Sequence, residues 1–108
     1  MSLEMPKPVA AYFATDRESA AAVAGCFTES AVVKDEGQTY RGRAAIKQWK
    51  ADASAKYQYT SEPLACAQKE GKVVVTSRLT GNFPGSPVNL RFCFGLEGDK
   101  IASLEIIP

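Results

Sequence analysis

The sequence predicts one α+β domain in which three helices cover the concave face of a curved, cone-shaped sheet of antiparallel or mixed strands. Three observations support this fold class. The 108 residues suffice for one domain with its own core, but not for two. Apolar residues recur with helical spacing in the first half of the chain, and from Tyr57 onward extended runs alternate with turn residues. Helices followed by an antiparallel meander are typical of α+β layers, and a sheet curved around helices encloses a cavity that suits a ligand.

Two helices are predicted near the N-terminus. Pro6 and Pro8 fit the first turn of one helix, where a missing N–H costs nothing. Thr15 and Glu18 fit a capping box that opens the second helix. The second helix is expected to end near Thr28, and its apolar stripe consists of Ala20, Val23, Ala24 and Phe27.

A short strand and a third helix follow. The β-branched content of 31–36 predicts the strand, and Tyr40-Arg41 predicts a brief extended piece. The third helix is expected over 43–56. Its apolar face consists of Ile46, Trp49 and Ala53, with Lys47, Lys50 and Asp52 elsewhere.

The second half of the chain predicts four strands joined by short turns. Pro63 interrupts the first strand, which suggests an edge strand or a bulge. Glu70-Gly71 indicates a hairpin, and Pro84 to Pro87 a rigid loop. The strands are expected at 57–69, 73–83, 88–96 and 101–107.

Composition excludes several classes of function. With 13 basic and 12 acidic side chains, the net charge of +1 gives no basic excess for nucleic acid or an anionic membrane. The absence of histidine excludes Ser-His-Asp and Cys-His nucleophiles and histidine-ligated metals, and no motif predicts a cofactor. No apolar run approaches the roughly 18 residues of a membrane span, and no secretory signal is recognisable. Residues 1–5 are expected to be disordered or to derive from cloning. Three widely spaced cysteines, Cys26, Cys66 and Cys93, suggest reduced thiols in a cytoplasmic protein.

The stretch AVVKDEG, residues 31–37, ends a predicted strand in an acidic pair. Because side chains alternate across a strand, Asp35 shares a face with the apolar positions, whereas Lys34 and Glu36 share the other. Asp35 is therefore expected to face inward. Desolvation beside aromatic walls would raise its pKa, as a general base near neutral pH requires. The alternative is a turn carboxylate that caps backbone N–H groups ahead of Gly37.

Further candidates are mostly aromatic. Tyr12 on the first helix is a candidate for a cavity hydroxyl, although helical aromatic residues more often pack in a core. Trp49, the only tryptophan, is expected to belong to both the core and the cavity wall. Tyr57 and Tyr59 share a strand face and either line the cavity mouth or are exposed. The remaining residues expected to contact a ligand are Phe13, Phe27 and Val33.

Arg91 is open to two interpretations. It lies opposite in face to Leu90, Phe92 and Phe94 on the same predicted strand. If the aromatic face is the outer, dimer-forming side of the sheet, Arg91 points into the cavity and binds an oxyanion or carboxylate. If the faces are reversed, it is a surface arginine. Arg78 on the neighbouring strand is ambiguous in the same way.

A pattern in the middle of the chain indicates a family. An aromatic residue precedes a strand that closes in an aspartate, followed by a glycine and a helix that opens with a small residue and isoleucine. The pattern consists of Phe27, Ala31, Val33 and Asp35, then Tyr40-Arg41-Gly42, then Ala45-Ile46 and Trp49. It resembles the nuclear transport factor 2-like superfamily, with its cystatin-like fold, and within it the SnoaL-like polyketide cyclases and ketosteroid isomerases. Residues 81–106 also resemble the last strands of many members. The likeness covers essentially the whole chain and is more specific for fold than for activity.

The resemblance implies a function. In ketosteroid isomerases the aspartate that closes this strand is the general base, and its counterpart is Asp35. The tyrosine and protonated aspartic acid of the isomerase oxyanion site would fall near Pro8 and near Leu90 or Arg91, where neither residue type occurs. The expected protein is a homodimer through the sheet that binds a small apolar molecule. It would catalyse isomerisation or aldol-type cyclisation, with Tyr12 or Arg91 stabilising an enolate. The alternative is a non-catalytic small-molecule-binding or dimerisation module.

Overall fold

The computed structural model describes residues 4–16 and 18–108. It contains three helices and one curved six-stranded sheet, so the predicted α+β class is confirmed. In chain order the elements are α1 (Lys7–Thr15), α2 (Ala20–Ala24), β1 (Phe27–Asp35), β2 (Gln38–Arg41), α3 (Arg43–Lys56), β3 (Tyr59–Lys69), β4 (Lys72–Gly81), β5 (Val88–Glu97) and β6 (Lys100–Ile107).

The sheet is mixed, with strand order β2-β1-β6-β5-β4-β3. Strands β3 to β6 form an antiparallel meander, and β1 pairs with β6 in parallel. Pro63 lies on the edge strand β3, and the β3–β4 register shifts between Pro63 and Ala65, as the sequence predicts. Glu70 and Gly71 both have positive φ in the tight β3–β4 turn, a conformation that hairpin turns of this kind require.

The boundaries of the second helix differ from the prediction. Thr15 does not cap α2; it ends α1, and its hydroxyl donates to the Ala11 carbonyl oxygen at 2.8 Å. The N-cap is Ser19, whose hydroxyl accepts from the Ala22 amide. The helix ends at Ala24 rather than near Thr28, because the chain then enters β1 and Phe27 pairs with β6. Tertiary pairing outweighs the helical spacing that includes Phe27.

The core packs α1, α2 and α3 against the inner face of the sheet. Its centre is an aromatic cluster with ring centroids 5.1–6.4 Å apart, made of Tyr12, Phe13, Phe27, Phe92 and Phe94. The aromatic face of β5 is thus the inner face of the sheet, which decides between the two interpretations of Arg91.

The expectation for the N-terminus concerns residues 1–5, of which residues 1–3 lie outside the described residues. Met5 packs against the core. In the part of the chain that the structure describes, no helix has the length and apolar character needed to cross a membrane.

Candidate functional site

A cavity of about 440 Å³ lies between the helices and the inner face of the sheet, within the range of small-molecule sites. Strands β4 to β6 give it apolar walls. The β4–β5 loop also lines the cavity, through Phe83, Pro84 and Gly85. The residues of the lining with a charged side chain or a hydroxyl group are Tyr12, Asp16, Asp35, Glu36, Lys50, Tyr57, Tyr59 and Ser61. The cavity is therefore apolar overall but contains a group of ionisable side chains.

Asp35 is the last residue of β1 and lines this cavity. It shares a strand face with the fully buried Val33, so side-chain alternation directs it inward. The indole N–H of Trp49 donates to Oδ2 of Asp35 at 3.1 Å. Partial burial raises the pKa of the Asp35 carboxyl above its ordinary value, and the Trp49 hydrogen bond opposes that rise. The carboxylate is thus oriented and more basic than one in water, which is chemically suited to accepting a proton.

The Trp49→Phe variant is expected to raise the pKa of Asp35 further. Phenylalanine preserves an aromatic wall but removes the N–H donor that favours the ionised carboxylate. A carboxyl-carbon NMR titration of both proteins measures the difference. Tyr57→Phe, another change in the cavity wall, serves as the control, and an unchanged or lower Asp35 pKa in Trp49→Phe would contradict the role of the hydrogen bond.

Lys50 is buried, in contrast to the prediction that it lies away from the apolar face of α3. It is only 4% exposed and forms an ion pair with Asp16, whose side chain is also buried. Its ammonium donates to the Tyr59 hydroxyl at 2.6 Å. The ammonium also lies 5.2–5.9 Å from three ring centroids, those of Tyr12, Trp49 and Tyr59. Burial alone would lower the pKa of Lys50, but the surrounding Tyr12, Asp16 and Tyr59 outweigh it and raise that pKa. Lys50 is therefore a buried ammonium rather than a neutral amine.

Helical spacing could have identified this pair. Lys50 occupies the i+4 position of the stripe that begins at Ile46 and continues through Trp49. Asp16 follows the stripe of α1 in the same way, four residues after Tyr12. A charge within each of two apolar stripes is the sequence signal of an ion pair buried between helices.

Tyr12 is 1% exposed. Its ring belongs to the aromatic cluster, and the residue also lines the cavity. Burial raises the pKa of its phenol, nearby Lys50 lowers it, and Asp16 and Tyr59 raise it; the net shift is upward. Tyr12 is therefore a neutral hydroxyl at physiological pH. Among residues 4–16 and 18–108 no partner hydrogen-bonds to this hydroxyl, so it is free to donate to a ligand.

The other predicted contacts divide into two groups. Trp49, Tyr57 and Tyr59 line the cavity, as expected of ligand contacts. Three residues instead belong to the packed core outside the cavity lining, which corrects the expectation for Phe13, Phe27 and Val33. Their side chains are buried against helices and strands.

Arg91 lies outside the cavity, on the surface, as in the second of its two interpretations. Leu90 and Phe92 line the cavity, so alternation directs Arg91 to the opposite face of β5. Its exposed guanidinium donates to the Pro108 carbonyl oxygen, at 3.2 Å from Nε and 2.9 Å from Nη2. Arg78 is exposed as well.

Sequence and structure comparisons agree on a family. The model of the SnoaL-like domain matches residues 9–104, nearly the whole chain. The chain belongs to the SnoaL-like domain family. A proposed polyketide cyclase from Sinorhizobium meliloti is 37% identical to this SnoaL-like domain, with 94% of each chain covered and a TM-score of 0.89. No curated protein matches it significantly.

More distant structures share the fold. A protein of ketosteroid isomerase-like fold from Catenulispora acidiphila, solved with trimethylamine, is 20% identical to this SnoaL-like domain. That match covers 97% of this chain and 87% of the other, with a TM-score of 0.85. SalBIII, an epoxide hydrolase/cyclase-like enzyme with a role in pyran ring formation in the polyether salinomycin, is 23% identical. That match covers 93% of this chain and 86% of the SalBIII chain, with a TM-score of 0.77. In the described part of this SnoaL-like domain, no three acidic or cysteine side chains converge as a metal site.

Proposed function

We propose that this protein binds a small, largely apolar carbonyl compound and catalyses proton transfer at a carbon beside the carbonyl, with Asp35 as the general base. The observation on which this proposal rests is the Asp35 carboxylate, half-buried in an apolar-walled cavity and held by the Trp49 indole. Its raised pKa brings it closer to the working pH of a general base.

The reaction class follows from the groups in the cavity. Asp35 takes a proton from the α-carbon, the C–H electron pair forms a C=C bond, and the carbonyl electrons move to oxygen. Where the substrate also has a β,γ C=C bond, the enolate extends over it, and return of the proton to the γ-carbon moves the C=C bond into conjugation and completes an isomerisation. Attack of the enolate carbon on a second carbonyl, with the proton returned to the new alkoxide oxygen, completes an aldol-type cyclisation. The apolar walls favour this chemistry because they exclude water from the enolate.

The relatives support this class of reaction. The Sinorhizobium meliloti protein, a proposed polyketide cyclase, covers almost the entire chain. SalBIII has a role in pyran ring formation, and the Catenulispora acidiphila protein was solved with a small molecule, trimethylamine. Ring formation and small-molecule binding in proteins of this fold are consistent with a cavity of this size and composition.

Hydrogen exchange in D₂O tests the proposal without knowledge of the natural substrate. Wild-type protein is incubated with cyclohexanone, and proton NMR follows the loss of the α-hydrogen signal. We expect exchange faster than in buffer and saturable with ketone. Exchange at the buffer rate, across cyclohexanone and a larger bicyclic ketone, would contradict catalysis.

The alternative is a binding module without catalysis. It is favoured by the fact that the Asp35 carboxylate already accepts from Trp49, and the charge of Lys50 is already balanced by Asp16. Ketone binding observed by ligand NMR, with exchange no faster than in buffer, would support this alternative.

We also propose a homodimer through the outer face of the sheet. Val74, Cys93 and Glu105 lie side by side there, next to Arg91 on the same face. A two-fold axis would bring acidic and basic groups of the two copies together. Val74→Glu is expected to halve the mass measured by light scattering, whereas Val74→Thr keeps it. An unchanged mass in Val74→Glu, or a monomeric wild type, would contradict this interface.

A further inference from the structure

We propose that Lys50 and Tyr12 form an oxyanion-binding pair: an ammonium N–H and a phenol O–H donate to the same carbonyl oxygen of the ligand. This inference rests on the proposed function, because that oxygen gains its charge when Asp35 takes the proton. It assigns an electrophilic role to a lysine that was not among the candidate site residues predicted from the sequence.

The ammonium of Lys50 has one hydrogen-bond donor to spare. A lysine carries three N–H donors. One meets Asp16 in the ion pair, and a second meets the Tyr59 hydroxyl. Among residues 4–16 and 18–108 no group accepts the third, although Lys50 lines the cavity. A buried charged donor without an acceptor is costly, so an oxygen of a ligand or of water is needed there.

The hydroxyl of Tyr12 also has a free donor. Its side chain is almost fully buried and lines the cavity, and no described residue accepts from it or donates to it. The Lys50 ammonium lies 5.9 Å from the centre of the Tyr12 ring. Two donors that lack acceptors therefore face the same cavity from α1 and α3. One ligand oxygen with two lone pairs satisfies both.

The other cavity charges determine which ligands fit. Of the described residues in the lining, Asp16, Asp35 and Glu36 are acidic and Lys50 is the one basic residue. A ligand that is already a carboxylate meets an excess of negative charge and is disfavoured. A neutral ketone or aldehyde is not, because transfer of its α-proton to Asp35 moves one negative charge from Asp35 to the ligand oxygen. The substrate class is thus a neutral apolar carbonyl compound.

Asp16 and Tyr59 act as positioning residues for Lys50. Together they occupy two of its donors and thereby fix the direction of the third. Trp49, the neighbour of Lys50 on α3, holds Asp35. Lys50 and the residue that holds Asp35 are therefore adjacent on one helix. This arrangement sets the separation between the base and the oxyanion site.

Ionised 4-nitrophenol is a suitable probe, because its phenolate oxygen resembles an enolate oxygen and its absorbance reports ionisation. Binding is measured in an Asp35→Asn background, which mimics the protonated base and removes its repulsion. We expect Lys50→Met to weaken binding of the ionised probe by about ten- to a hundredfold, the scale of hydrogen bonds to charged groups. We expect Tyr12→Phe to weaken it by about tenfold, and Lys50→Arg to retain most of it.

Two controls test whether a loss of binding is specific to the Lys50 ammonium. Lys47→Met removes an exposed lysine of the same helix and should leave binding unchanged. If Lys50→Met unfolds because Asp16 is left alone, Asp16→Asn/Lys50→Met is compared with Asp16→Asn, which retains the ammonium. Equal binding with and without Lys50, or no binding of the ionised probe to the Asp35→Asn parent, overturns the inference.

The probe-binding experiment and the ketone-exchange experiment can fail independently of each other. Lys50-dependent probe binding without ketone exchange by the wild type would support the oxyanion-binding pair and contradict catalysis by Asp35. Ketone exchange that is unaffected by Lys50→Met, together with Lys50-independent probe binding, would support the base and overturn the pair.

Discussion

Replacing Asp35 by asparagine is expected to slow ketone α-hydrogen exchange by about two to four orders of magnitude, the usual contribution of a general base. Asparagine preserves the size of the side chain, and its carbonyl oxygen can still accept from the Trp49 indole. It cannot accept the α-proton. The rate is measured by the NMR exchange assay in D₂O.

The matched control is Asp52→Asn, which changes an acidic residue on the exposed side of α3 whose side chain accepts a hydrogen bond from Gln48. It should leave the exchange rate unchanged. A rate in Asp35→Asn equal to that of the wild type would remove Asp35 as the base.

The same variant is expected to be at least as stable as the wild type at neutral pH. Burial raises the pKa of Asp35, so the folded state binds this proton more tightly than the unfolded state does. Stability therefore falls as pH rises from the ordinary aspartate pKa through the raised folded value, and the penalty persists above it. Asparagine removes that penalty. Lost activity with retained stability would distinguish a functional carboxylate from a structural one.

Lys50→Met is expected to lower the free energy of unfolding by about 3–5 kcal/mol, because it leaves the buried Asp16 carboxylate without its partner. The compensating variant Asp16→Asn/Lys50→Met has no unpaired charge and should lose clearly less. Urea unfolding of the wild type, both single variants and the double variant gives the coupling between the two residues.

Lys47→Met again serves as the control for removal of a lysine from α3, and should change stability by less than about 0.5 kcal/mol. If Lys50→Met loses no more stability than Lys47→Met, the ion pair does not hold α1 to α3.

The parts of the fold that follow from local pattern could be predicted. Alternation along β1 places Asp35 on the same face as buried Val33, and the edge position of Pro63 follows from its missing donor. These inferences need only the period of a strand or the chemistry of one residue. The α+β class follows from the order of such segments.

The parts of the fold and site that depend on tertiary partners could not be predicted from the sequence. Phe27 fits a helical stripe but pairs with Ile101 of β6, a partner far away in sequence. The face of Arg91 depends on which side of the sheet the helices cover. Helical spacing places Lys50 and Asp16 in apolar stripes, but whether these two residues, thirty-four positions apart, meet depends on how the end of α1 packs against α3.

The β4–β5 loop contributes to the shape of the cavity, whereas the proposed reactive side chains lie on other elements. Phe83, Pro84 and Gly85 come from this loop, whereas Trp49 and Lys50 are consecutive on α3. Substitutions or insertions in the loop can therefore reshape the space offered to a ligand without moving the reactive groups. Natural selection can diversify the molecules accepted by this scaffold while α1, β1 and α3 preserve its chemistry.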